Sequence, residues 1–384
     1  MTQKVLISGA SVAGPALAYW LRRRGFEVTV VERAPAPRPG GQAIDVRGVA
    51  LDVLDRMGLL ERARELRTTM RGMEMLDGKG NEIMRSTEMA LSSGRFDSDD
   101  IELLREDLTA MIYERTKDDE DPLAGSSIGT VEYLFGDTIT AITDGVGGVT
   151  VTFENAPPRT FDVIVGADGL HSGVRALAFG PESQFVRHLG TYLAVFSAEN
   201  FIGLDNWQVW VNEGNVGYAV YPVRDNKELR VTLGIKADSL PHDRRDNDAH
   251  RRMLAEDLEG LAWETPRLVE AMWAAEDFYF DAMAQIHMDT WSAGRVTLVG
   301  DAGYCASPLS GQGTSLALVG AYVLAEELER AGGRHAEGFA AYEARMRPFA
   351  QLNQALATEN PGQPASEESL ERAKRALSLD SREN

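Results

Sequence analysis

A short apolar run at residues 5–8 breaks into Gly9-Ala10-Ser11-Val12-Ala13-Gly14, and a helical stretch over 15–24 follows before Gly25 stops it. No other feature narrows the folds open to this chain as much. A buried strand that turns sharply into a helix, with a second apolar strand at 28–31 behind it, is a βαβ opening and commits this part of the chain to a parallel α/β sheet. Gly9 permits the tight turn and Gly14 permits close packing of helix on strand, so the helix N-terminus can offer backbone N–H groups to a pyrophosphate. Ser11 stands where the G-x-G-x-x-G pattern has its middle glycine, which leaves the pattern weak by itself. Glu32, at the end of the second strand, strengthens it by falling roughly 20 residues past the first glycine, where a carboxylate meets ribose hydroxyls. Together they point to a dinucleotide, without separating a flavin one from a nicotinamide one.

Two later runs bear on that choice. Residues 162–175 (DVIVGADGLHSGVR) carry a buried strand that delivers Asp168 and Gly169 at its carboxyl end, where open α/β sheets bind ligands. Ser172 is placed to cap the helix that follows. A strand, a turn and a capped helix with no ligand would read the same way. Residues 294–315 say more. A buried strand at 296–299 ends in Gly300-Asp301, with the carboxylate placed to accept hydrogen bonds from polyol hydroxyls. Pro308, Gly311, Gln312, Gly313 and Thr314 then lead directly into a helix. Glycine at 311 and 313 lets backbone approach a flat ring without a side-chain clash. The positive end of the helix stabilises a ring that gains negative charge on reduction, as a flavin does and a nicotinamide does not.

The middle of the chain has a different texture. Residues 73–96, rich in Met, Gly and Ser, read as an excursion into a second domain, and short β-runs at 192–197, 207–211, 217–222 and 229–235 read as its antiparallel sheet. Further helices are expected at 49–57, 107–115, 248–258, 266–273 and 315–331, a strand at 42–46, and a hairpin at 138–143 and 149–153. The expected architecture is an α/β, Rossmann-like cofactor domain (1–72, 97–182 and 278–345) with an inserted β-sheet substrate domain (73–96 and 183–277). A C-terminal helical segment (346–384) follows, reading as helix from Arg347, a Pro/Gly break at 361–364, and a last charged helix.

Composition bounds the partners. The 384 residues are 43% apolar and 26% charged, an ordinary make-up for a globular chain of about two domains. A net charge of −20 repels phosphate backbones and anionic lipid, so neither nucleic acid nor membrane is expected as a partner. The one cysteine, Cys305, leaves no intrachain disulfide. The sequence opens almost at once on its first strand, so no signal peptide is expected ahead of it. A cytoplasmic monomer or homodimer is expected. No H-x-x-x-H or Cys/His cluster suggests a metal site.

In order and spacing, the three runs resemble the Gly-rich, Asp-Gly and Gly-Asp fingerprints of the class A flavin monooxygenases. That family includes para-hydroxybenzoate hydroxylase, aromatic polyketide hydroxylases and the tetracycline-inactivating monooxygenases, and the short chain looks nearest the last. The resemblance covers about residues 1–345. It implies noncovalent FAD, NADH or NADPH as a transient reductant, and dioxygen, with an electron-rich aromatic or polyketide-like small molecule hydroxylated through a flavin hydroperoxide. By position, it implies Ser11, Val12 and Ala13 at the pyrophosphate, Glu32 at the adenosine ribose and Arg33 beside the adenine. It implies Arg105 on the flavin side, Asp168 and Gly169 in support of the cofactor, Asp301 at the ribitol, and Pro308 with Gly311, Gln312, Gly313 and Thr314 along the ring. Arg47 sits where the family chain passes the flavin. Two departures stand out. The family's Gly-Asp run commonly continues Ala-Ala-His, where this chain has Ala302-Gly303-Tyr304, and Thr314-Ser315 replaces an Asn common after the Gly-rich turn. No proton relay can be carried over from those positions.

With the chemistry borne by the flavin, no catalytic residue is singled out by pattern; Arg47, Tyr218 and His287 are the candidates. Cys305 reads as inert filling and His171 as a surface residue. Trp207, Trp210, Tyr218 and Tyr221 are candidates for substrate contact. Trp207 shares a strand face with Val209 and Val211, Trp210 shares the other with Gln208 and Asn212, and Tyr218 and Tyr221 fall on opposite faces of the next strand. Which face looks toward the flavin is not set by sequence. A non-redox cyclase using FAD as a scaffold, or another flavin oxidoreductase of natural-product metabolism, stays open as an alternative. A halogenase would carry a Trp-x-Trp-x-Ile-Pro signature, which is missing. A carrier such as the GDP-dissociation inhibitors has no need of Asp301 and the 311–313 loop. An NAD dehydrogenase leaves the second and third runs unexplained.

Overall fold

The computed structural model describes residues 2–90, 94–117, 128–238, 246–360 and 364–380. A six-stranded sheet runs in the order Ser292–Ala293, Val296–Leu298, Val163–Gly166, Lys4–Ser8, Glu27–Glu32, Thr130–Phe135, parallel throughout except for the short first strand. The inner strands are apolar on both faces, as a parallel sheet covered on both sides requires: Val5, Leu6, Ile7, Val163, Ile164 and Val165 are all buried. Helices Ala13–Arg23 and Gly313–Ala331 pack on each other within this core, the second buried along most of its length. At the first turn Gly9 has φ +106°, and a Cβ there would lie 2.5 Å from the Ala167 carbonyl oxygen, so no larger residue fits. That close approach brings the turns at 9–13 and 167–169 side by side.

The second large sheet has seven strands, ordered Tyr279–Ile286, Val186–Glu199, Glu228–Lys236, Val216–Val223, Trp207–Glu213, Gly72–Asp77, Glu82–Ser86. It is antiparallel except where Trp207–Glu213 runs parallel to Gly72–Asp77. The excursion at 73–96 thus adds two strands to this sheet. Strand Tyr279–Ile286, expected in the cofactor part, forms the opposite edge instead, paired with Val186–Glu199. Its sequence, YFDAMAQI, has one β-branched residue, so its strand character comes from the partner rather than from propensity. One face of the sheet buries Val209, Val211, Tyr218, Val220, Val231 and Leu233 against Leu254, Leu268 and Met272 of helices Asn247–Asp257 and Thr265–Ala274.

Helix His335–Glu359 differs from the reading that starts a helix near Arg347. It passes straight through Pro348, although a proline inside a helix typically costs ~3 kcal/mol or more. Tyr342, Met346, Phe349 and Ala350 are buried on either side of it, and their packing against Gly313–Ala331 outweighs that penalty. Strand Thr130–Phe135 and helix Leu60–Glu65 add to the expected elements; both are short and half exposed, with little periodic signal. The last charged helix is Glu367–Lys374, while the break expected at 361–364 falls, apart from Pro364, outside the described residues. Among the described residues no helix is long and apolar enough to cross a membrane.

Candidate active site

The carboxyl ends of the parallel strands open onto one cavity of about 2590 Å³, which continues to the free face of the seven-stranded sheet. Each motif reaches it from a different strand. After Lys4–Ser8, residues Gly9, Ser11, Val12 and Ala13 form its wall, with Gly14 packed behind them. Helix Ala13–Arg23 has no side-chain cap and no acidic residue in its first turn, so its first N–H groups are left for an anion. Glu32 accepts hydrogen bonds from Ala10 N–H (2.8 Å) and Ala34 N–H (2.9 Å), one on each oxygen. A carboxylate has about four lone-pair sites, so both oxygens can still accept from hydroxyls.

Asp168 organises rather than reaches. It accepts from the Ser172 hydroxyl, from Val174 N–H (3.1 Å) and from Ser8 Oγ (3.4 Å), and burial pushes its pKa upward against those bonds. Ser172 in turn caps helix Gly173–Phe179 by accepting from Arg175 N–H at 2.9 Å. The Arg175 guanidinium, wholly buried, donates to Ala302 O (2.9 Å), Leu170 O (2.6 Å) and Glu182 Oε2 (3.1 Å). It therefore ties the second run to the residue next to Asp301. Its place within the second run is the only hint of this that the sequence carries.

At the far end Asp301 opens the short helix Asp301–Tyr304, and burial pushes its carboxyl upward, with a small opposing contribution from Cys305. Cys305 is itself buried, its thiol raised well above the usual range by burial and the nearby Asp301, which makes it a poor nucleophile. Ser307, with φ +72°, starts the turn Pro308–Ser310, and Gly311 follows in the left-handed region with φ +62°. A Cβ at Gly311 would meet Arg47 Nη1 at 3.3 Å. Gln312 is fully buried, and neither its Oε1 nor its Nε2 is hydrogen-bonded among the described residues. A buried polar group left so typically costs about 1–3 kcal/mol, and a polar ligand in the cavity is the natural partner. Helix Gly313–Ala331 begins there without a side-chain cap or an acidic first turn. Two uncapped helix ends, a buried amide lacking partners and a carboxylate facing the same space fit an FAD, its phosphates at one end and its ring at the other.

The wall opposite these turns is one face of the seven-stranded sheet. Gln208, Trp210 and Asn212 come from one strand, and Gly217, Ala219 and Tyr221 from its neighbour. Trp210 Nε1 donates to Gln208 Oε1 (2.8 Å), and Tyr221 Oη accepts from Ala43 N–H (2.9 Å), which fastens this sheet to strand Ala43–Val46. Arg105 donates to Gly40 O (2.7 Å) and lies near Arg38, and burial draws its pKa down.

A family model described as an FAD binding domain matches residues 2–357. A flavin-dependent monooxygenase of Legionella longbeachae is 35% identical over 351 residues, covering 91% of this chain and 87% of the relative. The chain belongs to the class A flavin monooxygenase family. An uncharacterized protein of Mycobacterium tuberculosis is 50% identical over 381 residues, 98% of each chain. The crystal structure of the tetracycline destructase Tet(55) superposes on this monooxygenase with a TM-score of 0.85 at 33% identity, over 99% of both chains.

In this flavoprotein the cofactor candidates Gly9, Ser11, Val12, Ala13, Glu32, Arg33, Arg47, Arg105, Asp168, Gly169, Asp301, Pro308, Gly311, Gln312, Gly313 and Thr314 all line the one cavity. Three other candidates do not take the places expected of them. Trp207 lies on the opposite sheet face, under the Arg85 guanidinium at 4.8 Å. Tyr218 is among the residues lining the cavity, but its ring lies in the packed layer behind the sheet, its hydroxyl 2.6 Å from Thr265 Oγ1 and its ring stacked on Trp263. His287 is outside the cavity, its Nε2 2.8 Å from Gln285 Oε1, with burial and Arg187 holding its pKa down. For Trp207 and Tyr218 the reason is strand parity, since one residue's shift along a strand exchanges core for cavity; His287 lies just past the end of strand Tyr279–Ile286. His171, read as a surface residue, is exposed, and it also stands at the cavity edge between Glu182 (2.9 Å) and Asp281 (2.9 Å). Among the described residues no group of three or more His, Cys, Asp or Glu could hold a metal ion.

Proposed function

We propose that this flavoprotein is a single-component monooxygenase that takes hydride from NADH or NADPH and transfers one atom of dioxygen to an electron-rich, largely planar small molecule. The observation that carries the reading is the continuity of the cavity, from the turns of the parallel sheet to Trp210 and Tyr221 on the second sheet. When bound, FAD supplies the redox chemistry: hydride acceptance and the activation of dioxygen. The chain's own residues bind, orient and exclude water. Ser11, Val12 and Ala13 would hold the pyrophosphate, Glu32 the ribose and Asp301 the ribitol. The start of helix Gly313–Ala331 would favour a ring edge that carries negative charge. Arg33, Arg38 and Arg105 line the same cavity and offer positive charge to phosphates. Trp210 would present a flat surface, with the buried Tyr221 beside it in the cavity wall, and aromatic contacts add about 0.5–1.5 kcal/mol beyond burial. The likeness to a tetracycline destructase supports a polycyclic substrate of this kind.

The test is a panel of tetracyclines, anthraquinones and simple phenols, with NADPH or NADH consumption and product mass followed together. Substrate-stimulated oxidation of the nicotinamide and a product heavier by one oxygen are expected. Conversion without mass gain or nicotinamide consumption would contradict the reading and favour an FAD-scaffolded cyclase.

A further inference from the structure

Strands Ala43–Val46 and Ile101–Leu104 form a two-stranded antiparallel sheet in which Asp45 pairs with Glu102. Alternation puts Ile44 and Val46 into the main core, while Ala43 and Leu104 pack with Tyr221 of the substrate-side sheet. Asp45 and Glu102 share that second face. Asp45 therefore stands between the two halves of the cavity. Arg47, bonded to its Oδ2 at 2.8 Å, is beside Gly311 of the ring loop and donates its backbone N–H to Ser315 Oγ at 3.1 Å. Tyr221, bonded to Ala43, closes the other side. The Asp45 side chain lines the cavity, is only 10% exposed, and its Oδ1 has no hydrogen-bond partner among the described residues. A carboxylate so placed is expensive for folding, which points to a ligand group as the partner of that second oxygen.

We propose that Asp45 is the proton acceptor of the substrate site, hydrogen-bonding a phenolic or enolic hydroxyl of the substrate and taking its proton. This rests on the monooxygenase reading above. In the step the substrate O–H bond breaks, its electron pair stays on oxygen as phenolate or enolate, and a new O–H bond forms on the Asp45 carboxylate. No electrons change hands. The resulting oxyanion makes the ring more electron-rich, which suits attack on an electrophilic oxygen.

The surroundings suit that task. The titratable and charged groups about Asp45 are Arg47 on its own strand, Glu102 opposite, Asp100 just before the paired strand, and Tyr221 on the facing sheet. Lys374 of the C-terminal helix reaches them through Asp100, at 2.6 Å. Burial raises the Asp45 pKa to about 7, Arg47 opposes this, and Glu102 and Asp100 add to it. A base is most effective when its pKa lies near the working pH. Glu102 is the less available of the two acids, buried and holding the Thr68 hydroxyl at 2.5 Å.

The experiment measures binding of 2-naphthol to the FAD-loaded protein between pH 6 and 8, by its fluorescence, with 2-methoxynaphthalene as the control that has no proton to give. In the wild type, affinity for 2-naphthol rises as Asp45 ionises, by up to about tenfold per pH unit on the acid side of its pKa. In Asp45→Asn, similar in size and unable to accept the proton, that dependence disappears while FAD absorbance per chain is retained. The methoxy probe binds both proteins alike at every pH. The same pH dependence in wild type and Asp45→Asn overturns the assignment while leaving the monooxygenase reading intact. Wild-type protein that binds neither probe, nor turns over any hydroxylated member of the panel, overturns both.

Discussion

The two halves of the cavity are built on different principles. The cofactor half is made of backbone: turns at 9–13, 167–169 and 311–313 and two helix N-termini, with Asp301 and Glu32 as the fixed carboxylates. The half proposed for the substrate is made of side chains on one sheet face, where Trp210 and Tyr221 line the cavity while Trp207 and the ring of Tyr218 pack on the other face. Backbone sites tolerate few residue types, so they leave a mark in sequence. A sheet face tolerates many, so its identity depends on a register that only the paired strands set.

That contrast predicts where substitutions act. Replacing a fixed carboxylate should give the largest effect. If Asp301 is the charge-assisted partner proposed for the ribitol, a contribution of about 1.5–3 kcal/mol, FAD affinity of Asp301→Ala should fall roughly ten- to a hundredfold. Flavin absorbance per chain after gel filtration reads this directly, and full occupancy would show that the polyol lies elsewhere. Gly313→Val comes next. A Cβ there would make ordinary contact with Asp301 Oδ1, 3.8 Å away, and clash with nothing, so the helix should still form. The added bulk should slow flavin reduction, in stopped flow, more than it weakens FAD binding. Equal effects on both, or none, would remove the 311–313 loop from the ring.

The sheet face is sharpened by a pair of variants. Trp210→Ala should weaken a planar probe by a few fold, in keeping with ~0.5–1.5 kcal/mol for an aromatic contact, with little loss of melting temperature. Trp207→Ala should do the reverse, since its ring packs with Arg85 behind the sheet. Equal loss of probe affinity in both would break the distinction between the faces.

The smallest effect concerns the joint between the halves. His171 belongs to the turn after Asp168, while Asp281 belongs to the edge strand of the other sheet. Burial disfavours the charged imidazole, but Asp281 and Glu182 outweigh it and raise its pKa above 6.5. A raised pKa means the contribution to stability is complete below the unfolded value and is lost as pH rises through the folded one. The Asp281 pKa is lowered, so its own share fails only in acid and does not enter this window. Because His171 is partly exposed, the advantage of wild type over His171→Gln should be at most ~2 °C at pH 6 and should shrink by pH 9. An advantage that grows with pH would contradict the pairing.

Much of the cofactor half is legible in the amino-acid sequence itself. The strand–turn–helix at 5–24, the spacing to Glu32, and the run from Gly300 to Thr314 each require particular residues for backbone reasons, and each contributes to the cavity wall. Helix His335–Glu359 is hidden by Pro348, which local propensity treats as a stop and tertiary packing overrides. Strand Tyr279–Ile286 is hidden by its poor β-composition. Trp207 and the Tyr218 ring have suitable chemistry on the wrong face, and His287 lies past the end of its strand, outside the cavity. Asp45 gives no functional signal in the sequence, and Arg175 only its place in the second run, because their meaning lies in their neighbours: one across a two-stranded sheet, the other across the gap between two motifs.

The source of the transferred oxygen distinguishes a monooxygenase most directly from every alternative. FAD-loaded protein, NADPH and a turned-over member of the phenol or tetracycline panel should be incubated under oxygen-18 gas in ordinary water, and the product weighed by mass spectrometry. One oxygen-18 atom per product molecule, with one NADPH consumed for each, is the predicted result. Product carrying oxygen only from water, or formed with no NADPH consumed, would contradict it.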